Sequence, residues 1–209
     1  MGPAEWLAIL AAGVGAGGID AIVGSGTLIT FPTLLAFGLP PVVANVSNNI
    51  GLVPGNISGA VGYRRELAGQ RGLLARLGPL AGVGGLAGAV LLLWLPAAAF
   101  RLIVPVLILI SCGLVLIDPR LGAWLAAQRE GGRARHSSLV LGAGIFLSGA
   151  YGGYFGAAQG VLVIGLLGIF LNENLQHVDA AKNVLVATVN GIAALCSSCS
   201  PTSRGSLCC

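Results

Sequence analysis

Residues 45–56 read NVSNNIGLVPGN and residues 179–190 read DAAKNVLVATVN, so Asn45, Asn48, Asn49 and Asn56 are answered by Asp179, Lys182, Asn183 and Asn190 at a constant offset of 134. The spacing i, i+3, i+4, i+11 puts each set on one face of a helix. Both helices are otherwise apolar. A charge left at the centre of such a helix in hydrocarbon costs roughly 2.5 to 3.5 kcal/mol even on the lenient insertion scale, so the two polar faces are expected to point into the interior of a bundle.

Composition places that bundle in a membrane. The chain has 209 residues, 56% hydrophobic and only 9% charged, against roughly 25% charged in an ordinary soluble domain, and its mean hydropathy is +0.91. A water-soluble surface cannot be built from that supply. Apolar segments are read at about 4–23, 27–39, 42–62, 77–96, 98–117, 138–157, 160–171 and 176–196, lengths set against the hydrocarbon core of a bilayer. The expected fold is all-α: a polytopic integral membrane helical bundle of about eight hydrophobic segments, with an internal repeat and two short or broken helices.

The short segments are 27–39 and 160–171. Each follows a small-residue break, Gly24-Ser25-Gly26 or Gly156-Ala157-Ala158-Gln159-Gly160, and each reads as a half-helix or re-entrant segment. Upstream, Gly17 and Gly24 are answered by Gly149 and Gly156 at an offset of 132. The repeat therefore spans about 4–62 and 138–196, joined by connecting spans at 77–117, and residues 1–196 are expected to form one transmembrane permease domain. The Ser- and Cys-rich tail, 197–209, is expected to be disordered. The first repeat is followed by two more long spans and the second is not, so a C-terminally truncated or frame-shifted end is also expected.

Two loops carry most of the positive charge: Arg64, Arg65, Arg71 and Arg76 before the connecting spans, and Arg120, Arg129, Arg133 and Arg135 after them. Two spans separate them, so both lie on one side, and the positive-inside rule makes that side cytoplasmic. The N-terminus then lies outside, the two repeats are inverted, and the protein is expected to be multi-pass in a bacterial-type inner membrane. The basic runs are topology signals and imply no nucleic-acid partner. The N-terminus lacks the basic region of a cleaved signal peptide.

Other chemistry is thinly represented. Gly13-Val14-Gly15-Ala16-Gly17-Gly18 matches the GxGxxG dinucleotide spacing but has no strand before it. Cys196 and Cys199 have zinc-ligand spacing, yet Cys208 and Cys209 do not make a second such pair and no His is near; His136 and His177 lack partners at ligand spacing. No nucleophile, base and orienting group form a triad. The chain is expected to be neither an enzyme nor a carrier of metal or cofactor.

The candidate site is the polar lining of the bundle. The breaks contribute Gly24, Ser25, Gly26 and Thr27 from the first repeat and Gly156, Gln159 and Gly160 from the second, where amides at helix starts sit at positive dipole ends and suit an anion. Glycine equally serves close packing, as at Gly78-Gly82 and Gly84-Gly88. The polar helices contribute Asn45, Asn48, Asn49, Lys182 and Asn183. Their amides either line a solute path or hydrogen-bond between helices. Lys182, the only lysine, either holds an anion, joins proton coupling, pairs structurally with Asp179 or snorkels. Pro54-Gly55 is expected to bend or interrupt its helix. Asp20 and Asp179 are the candidates for proton coupling, with helix capping the alternative for Asp20.

Gly17-Gly18-Ile19-Asp20 leading to Gly24-Ser25-Gly26-Thr27-Leu28-Ile29-Thr30-Phe31-Pro32, then Gly38-Leu39-Pro40-Pro41 and Ala44-Asn45 through Asn49, resembles the sulfite exporter TauE/SafE family of membrane permeases. Ser148-Gly149 through Tyr151-Gly152-Gly153-Tyr154-Phe155-Gly156 and Ala180-Ala181-Lys182-Asn183 resemble that family's second copy. The likeness covers nearly all of 4–196. It departs at Ser25, Thr27 and Ala157-Ala158-Gln159, where the family often has more glycine, and the family continues with further spans. The resemblance implies transport of sulfite, a sulfonate or a related organic anion, with no prosthetic group. The partners expected are the lipid bilayer, a small anionic solute and protons as coupling ion; a passive channel and a non-transporting membrane component are the alternatives.

Overall fold

The computed structural model describes residues 11, 13–20, 24–130, 138–171 and 174–199, and among these every regular element is helical. In chain order they are α1 (13–20), α2 (Thr27–Ala36), α3 (Pro41–Gly62), α4 (Arg64–Leu67), α5 (Arg71–Trp94), α6 (Ala97–Glu130), α7 (Ser138–Tyr154), α8 (Gln159–Phe170) and α9 (Leu175–Cys199). The expected all-α membrane bundle is what forms. Arg71–Trp94, Ala98–Ile117 and Leu175–Ser197 are each long and apolar enough to cross a bilayer, and α2 and α8 are the short apolar helices.

Local chemistry explains the boundaries. After α2, the Gly38 amide bonds Leu35 O at 2.9 Å and the Leu39 amide bonds Leu34 O at 3.2 Å, a Schellman ending that needs the left-handed φ of +83° at Gly38. Pro40 and Pro41 then start α3, proline being suited to the first helical position.

Several expectations are corrected. Helix α3 runs through Pro54 as one helix, so of the bend or interruption expected at Pro54-Gly55 the interruption does not form; neighbouring helices in a membrane bundle can re-satisfy the backbone group a proline frees. Helix α5 starts at Arg71, so Arg71 and Arg76 are helical, and α6 continues through Asp118 to Glu130; the leucine, alanine, glutamine and arginine of LGAWLAAQRE are good helix formers. Helix α9 reaches Cys199, into the expected disordered tail. Residues 200–209, Arg133, Arg135 and His136 lie outside the described residues.

Two repeat units, α1–α3 and α7–α9, are packed together through α3 and α9, and α5 lies across α7 and α9. The α5–α7 contact is nearly backbone to backbone: a Cβ on Gly88 would lie 2.0 Å from Ala150 O, and one on Gly153 2.1 Å from Gly85 O. Lipid supplies no hydrophobic drive between helices, so this proximity and its dispersion contacts hold the pair. Gly84 and Gly88 serve that contact, whereas Gly82 faces Ile192 of α9 and a Cβ on Gly78 would meet nothing within 4 Å.

One apolar cluster joins α5, α7, α8 and α9 around Ile145, Leu167, Leu185 and Val189. A second joins α2, α3, α5, α6 and the end of α7 through Phe31, Phe100, Tyr154 and Phe155. There the Phe31 and Phe155 rings meet edge to face, centroids 5.2 Å apart. On α6, Leu102, Leu109 and Leu116 are 72–79% exposed, a seven-residue outer stripe suited to lipid.

Candidate functional site

The two breaks meet. Gly24 and Gly156, matched by the repeat, have φ of +77° and +78°, a left-handed conformation that costs an L-residue roughly 1–2 kcal/mol. Between the breaks the Gly160 amide donates to Gly24 O at 3.2 Å, and a Cβ on Gly160 would lie 2.3 Å from the Gly24 Cα. Ala158, which precedes α8, also has a positive φ of 56°, an uncommon conformation for a residue with a side chain.

Each polar helix serves the break of the other repeat. From α3, Asn45 Nδ2 donates to Tyr154 O at 3.0 Å, and Asn49 Oδ1 is 3.5 Å from where a Gly156 Cβ would stand. From α9, Lys182 Nζ donates to Asp20 O at 3.3 Å and is 3.6 Å from Asp179 Oδ1. Lys182 is fully buried, so it does not snorkel.

Asp20 is buried and doubly engaged. Its Oδ1 accepts from the Gly26 amide at 3.1 Å and its Oδ2 from Asn56 Nδ2 at 2.8 Å. The first bond caps the entry to α2. The Gly26 and Gly160 amides, expected as anion donors at the helix starts, thus carry protein acceptors. Asn48 donates to Thr27 Oγ1 at 3.1 Å and accepts from Thr30 Oγ1, tying α3 to α2.

Ser25 and Gln159 are buried. The Gln159 carboxamide lies directly over Gly152, 2.2 Å from the position of a Cβ there. Gly152 is the repeat counterpart of Asp20, so each break has a polar group from a different sequence position. Asn183 faces Gly59 of α3, with 2.8 Å between its Nδ2 and a Cβ built on that glycine.

Hydrogen-bonding capacity is left unused at this crossing. Asn183 is fully buried, and neither its Nδ2 nor its Oδ1 has a partner; the same holds for Asn45 Oδ1, Asn49 Oδ1 and Gln159 Oε1. Buried orphans of this kind are rare in folded proteins and call for a ligand, water or ion. Among the described residues no group of His, Cys, Asp and Glu is placed to hold a metal ion.

Sequence reasoning passed over Ser111 and Tyr151. Tyr151 OH donates to Ala157 O at 2.7 Å and lies 2.8 Å from Ser111 Oγ, fixing a carbonyl of the second break from α6 and α7. Ser111 is the one hydroxyl side chain in segment 98–117, a signal that was there to use. Gln70, whose Nε2 donates to His177 O at 3.0 Å, ties the start of α5 to α9 from a loop with no pattern to mark it.

Paired helix breaks joined at the contact of two repeat units, with a buried polar helix from each, define an all-α membrane bundle. The chain belongs to the sulfite exporter TauE/SafE family, whose pattern it matches over residues 9–202. It is 31% identical over 179 residues to the probable membrane transporter protein YfcA of Escherichia coli K12, an alignment covering 84% of this chain and 63% of that protein. It is 32% identical over 174 residues to a probable membrane transporter protein of Haemophilus influenzae, covering 82% and 66% respectively. The chain thus spans less than two thirds of the length of these relatives. No solved structure matches.

Proposed function

We propose that residues 1–196 form the solute-binding unit of a secondary permease, multi-pass in a bacterial-type inner membrane, that moves a small anion such as sulfite, a sulfonate or a related organic anion. The observation that carries this reading is Asn183, fully buried with both amide atoms unpartnered. Burying such a group without hydrogen bonds costs roughly 1–3 kcal/mol by protein mutational measure, and the oxygens of a small anion supply the acceptor that its Nδ2 lacks. The names of the relatives support transport as the task.

In this reading Lys182 supplies the positive charge. Its Nζ stands 3.6 Å from Asp179 Oδ1. The Nδ2 groups of Asn49 and Asn183 and the Gln159 carboxamide donate to the anion's oxygens, while Ser25, Thr27, Asn45 and Asn48 hold the breaks in shape. Asp20 and Asp179 exchange the coupling proton. Rocking of the two repeats about the Gly24–Gly160 contact opens the site to each side in turn.

Reconstitution in liposomes tests this. Labelled sulfite or sulfonate flux is expected to saturate, to respond to a proton gradient, and to be lost in Lys182→Gln and Asn49→Ala. Absence of flux for every anion offered, or flux untouched by both substitutions, contradicts the proposal.

A further inference from the structure

Among the described residues the two repeat units are not equally covered. Helix α5 rests on repeat two along Phe146, Gly149 and Ala150 of α7 and Thr188, Val189 and Ile192 of α9. The contacts are close: Cβ atoms on Gly84, Gly82 and Gly85 would lie 2.2 Å from Phe146 O, 2.9 Å from Ile192 Cδ1 and 3.1 Å from Val189 Cγ1.

The repeat offsets of 132 and 134 convert those six residues into Val14, Gly17, Gly18, Pro54, Gly55 and Ser58 of repeat one. All six line one 680 Å³ groove between α1, α2 and α3. Shape defines the groove and sequence the correspondence, and the two are independent. Val14 is 72% exposed there, while its counterpart Phe146 lies under α5.

We propose that this groove is the seat of a further transmembrane helix, one that stands to repeat one as α5 stands to repeat two. Its chemistry follows from the seat. Gly17 and Gly18 offer a floor without side chains, where a Cβ would meet nothing within 4 Å, so the occupant presents a face of glycine and alanine at four-residue spacing, as α5 does with Ala81, Gly84, Gly85 and Gly88. Bulky apolar residues occupy its other, lipid-facing side. About a third of the length of YfcA lies outside its match to this chain, and to that segment we assign the helix.

The test is co-expression of the full 209-residue chain with the unmatched segment of E. coli YfcA carrying an affinity tag, followed by solubilisation and capture on the tag. The chain is expected to be recovered with the segment. Ser58→Trp, an exposed position that fills the groove, is expected to cut recovery by about tenfold, equivalent to about 1.4 kcal/mol; Leu116→Trp, on the outer face of α6, is expected to leave it unchanged. A shift of less than a few degrees in the melting temperature of both variants in detergent would show that each still folds. No recovery of the wild-type chain, or equal recovery of Ser58→Trp, overturns the proposal. So does disulfide dimerisation of the chain through Ser58→Cys in preference to cross-linking with a cysteine-bearing segment, since the groove would then seat a second copy.

Discussion

Asp20 shows how one residue joins the two repeats. Its carboxylate accepts the Gly26 amide and the Asn56 carboxamide, and its backbone carbonyl receives Lys182 from the other repeat. Asp20→Ala leaves the Gly26 amide without its acceptor, an expected loss of about 1–3 kcal/mol, visible as a lower melting temperature in detergent. An unchanged melt would show that the cap has no energetic role. The polar residues themselves were legible in the sequence, because Asn, Asp and Lys in an apolar helix have to face inward. Their partners were not. Asn45 bonds Tyr154, 109 positions away, and nothing in local spacing encodes which carbonyl a carboxamide reaches once two helices cross.

At the scale of the element, glycine separates into positions that are occupied by neighbours and positions that are not. Gly88→Ala puts a methyl 2.0 Å from a backbone carbonyl of α7; overpacking of that kind costs about 1–3 kcal/mol. Gly78→Ala meets open space and is expected to leave stability unchanged or slightly raised by better helix propensity. Comparing the two melts checks whether α5 is held by close approach to α7. Gly160→Ala is expected to abolish transport with a partial loss of stability, because its methyl would drive the two breaks apart; retained flux in liposomes would separate that contact from function. The helices, the two breaks and the paired polar faces were all readable from hydropathy and repeat offsets. The unbroken α3 and the long α5 and α6 were not, since a proline or a change to polar composition marks a helix end in water more reliably than in a bundle where neighbours and interface take up the backbone groups.

For the whole molecule, two related units exchange contacts: the polar helix of each reaches the break of the other, and the breaks touch at Gly24 and Gly160. Such an arrangement gathers buried polar side chains at the crossing and sets unsatisfied amides there. The internal repeat announced that two equivalent halves exist. Which of their faces meet depends on packing in three dimensions, and the unequal covering of the two units came from the structure alone.

The central claim is that this enclosed crossing binds a small anion through Asn183 and its neighbours. Equilibrium binding of sulfite to the purified chain in detergent, measured for wild type and Asn183→Ala alongside their melting temperatures, tests it most directly. The account predicts saturable binding by the wild type and an affinity weakened about tenfold or more in the variant, a loss of at least about 1.4 kcal/mol, with the fold retained. Equal affinity in the two proteins, or no binding of sulfite or any sulfonate by the wild type, would contradict it.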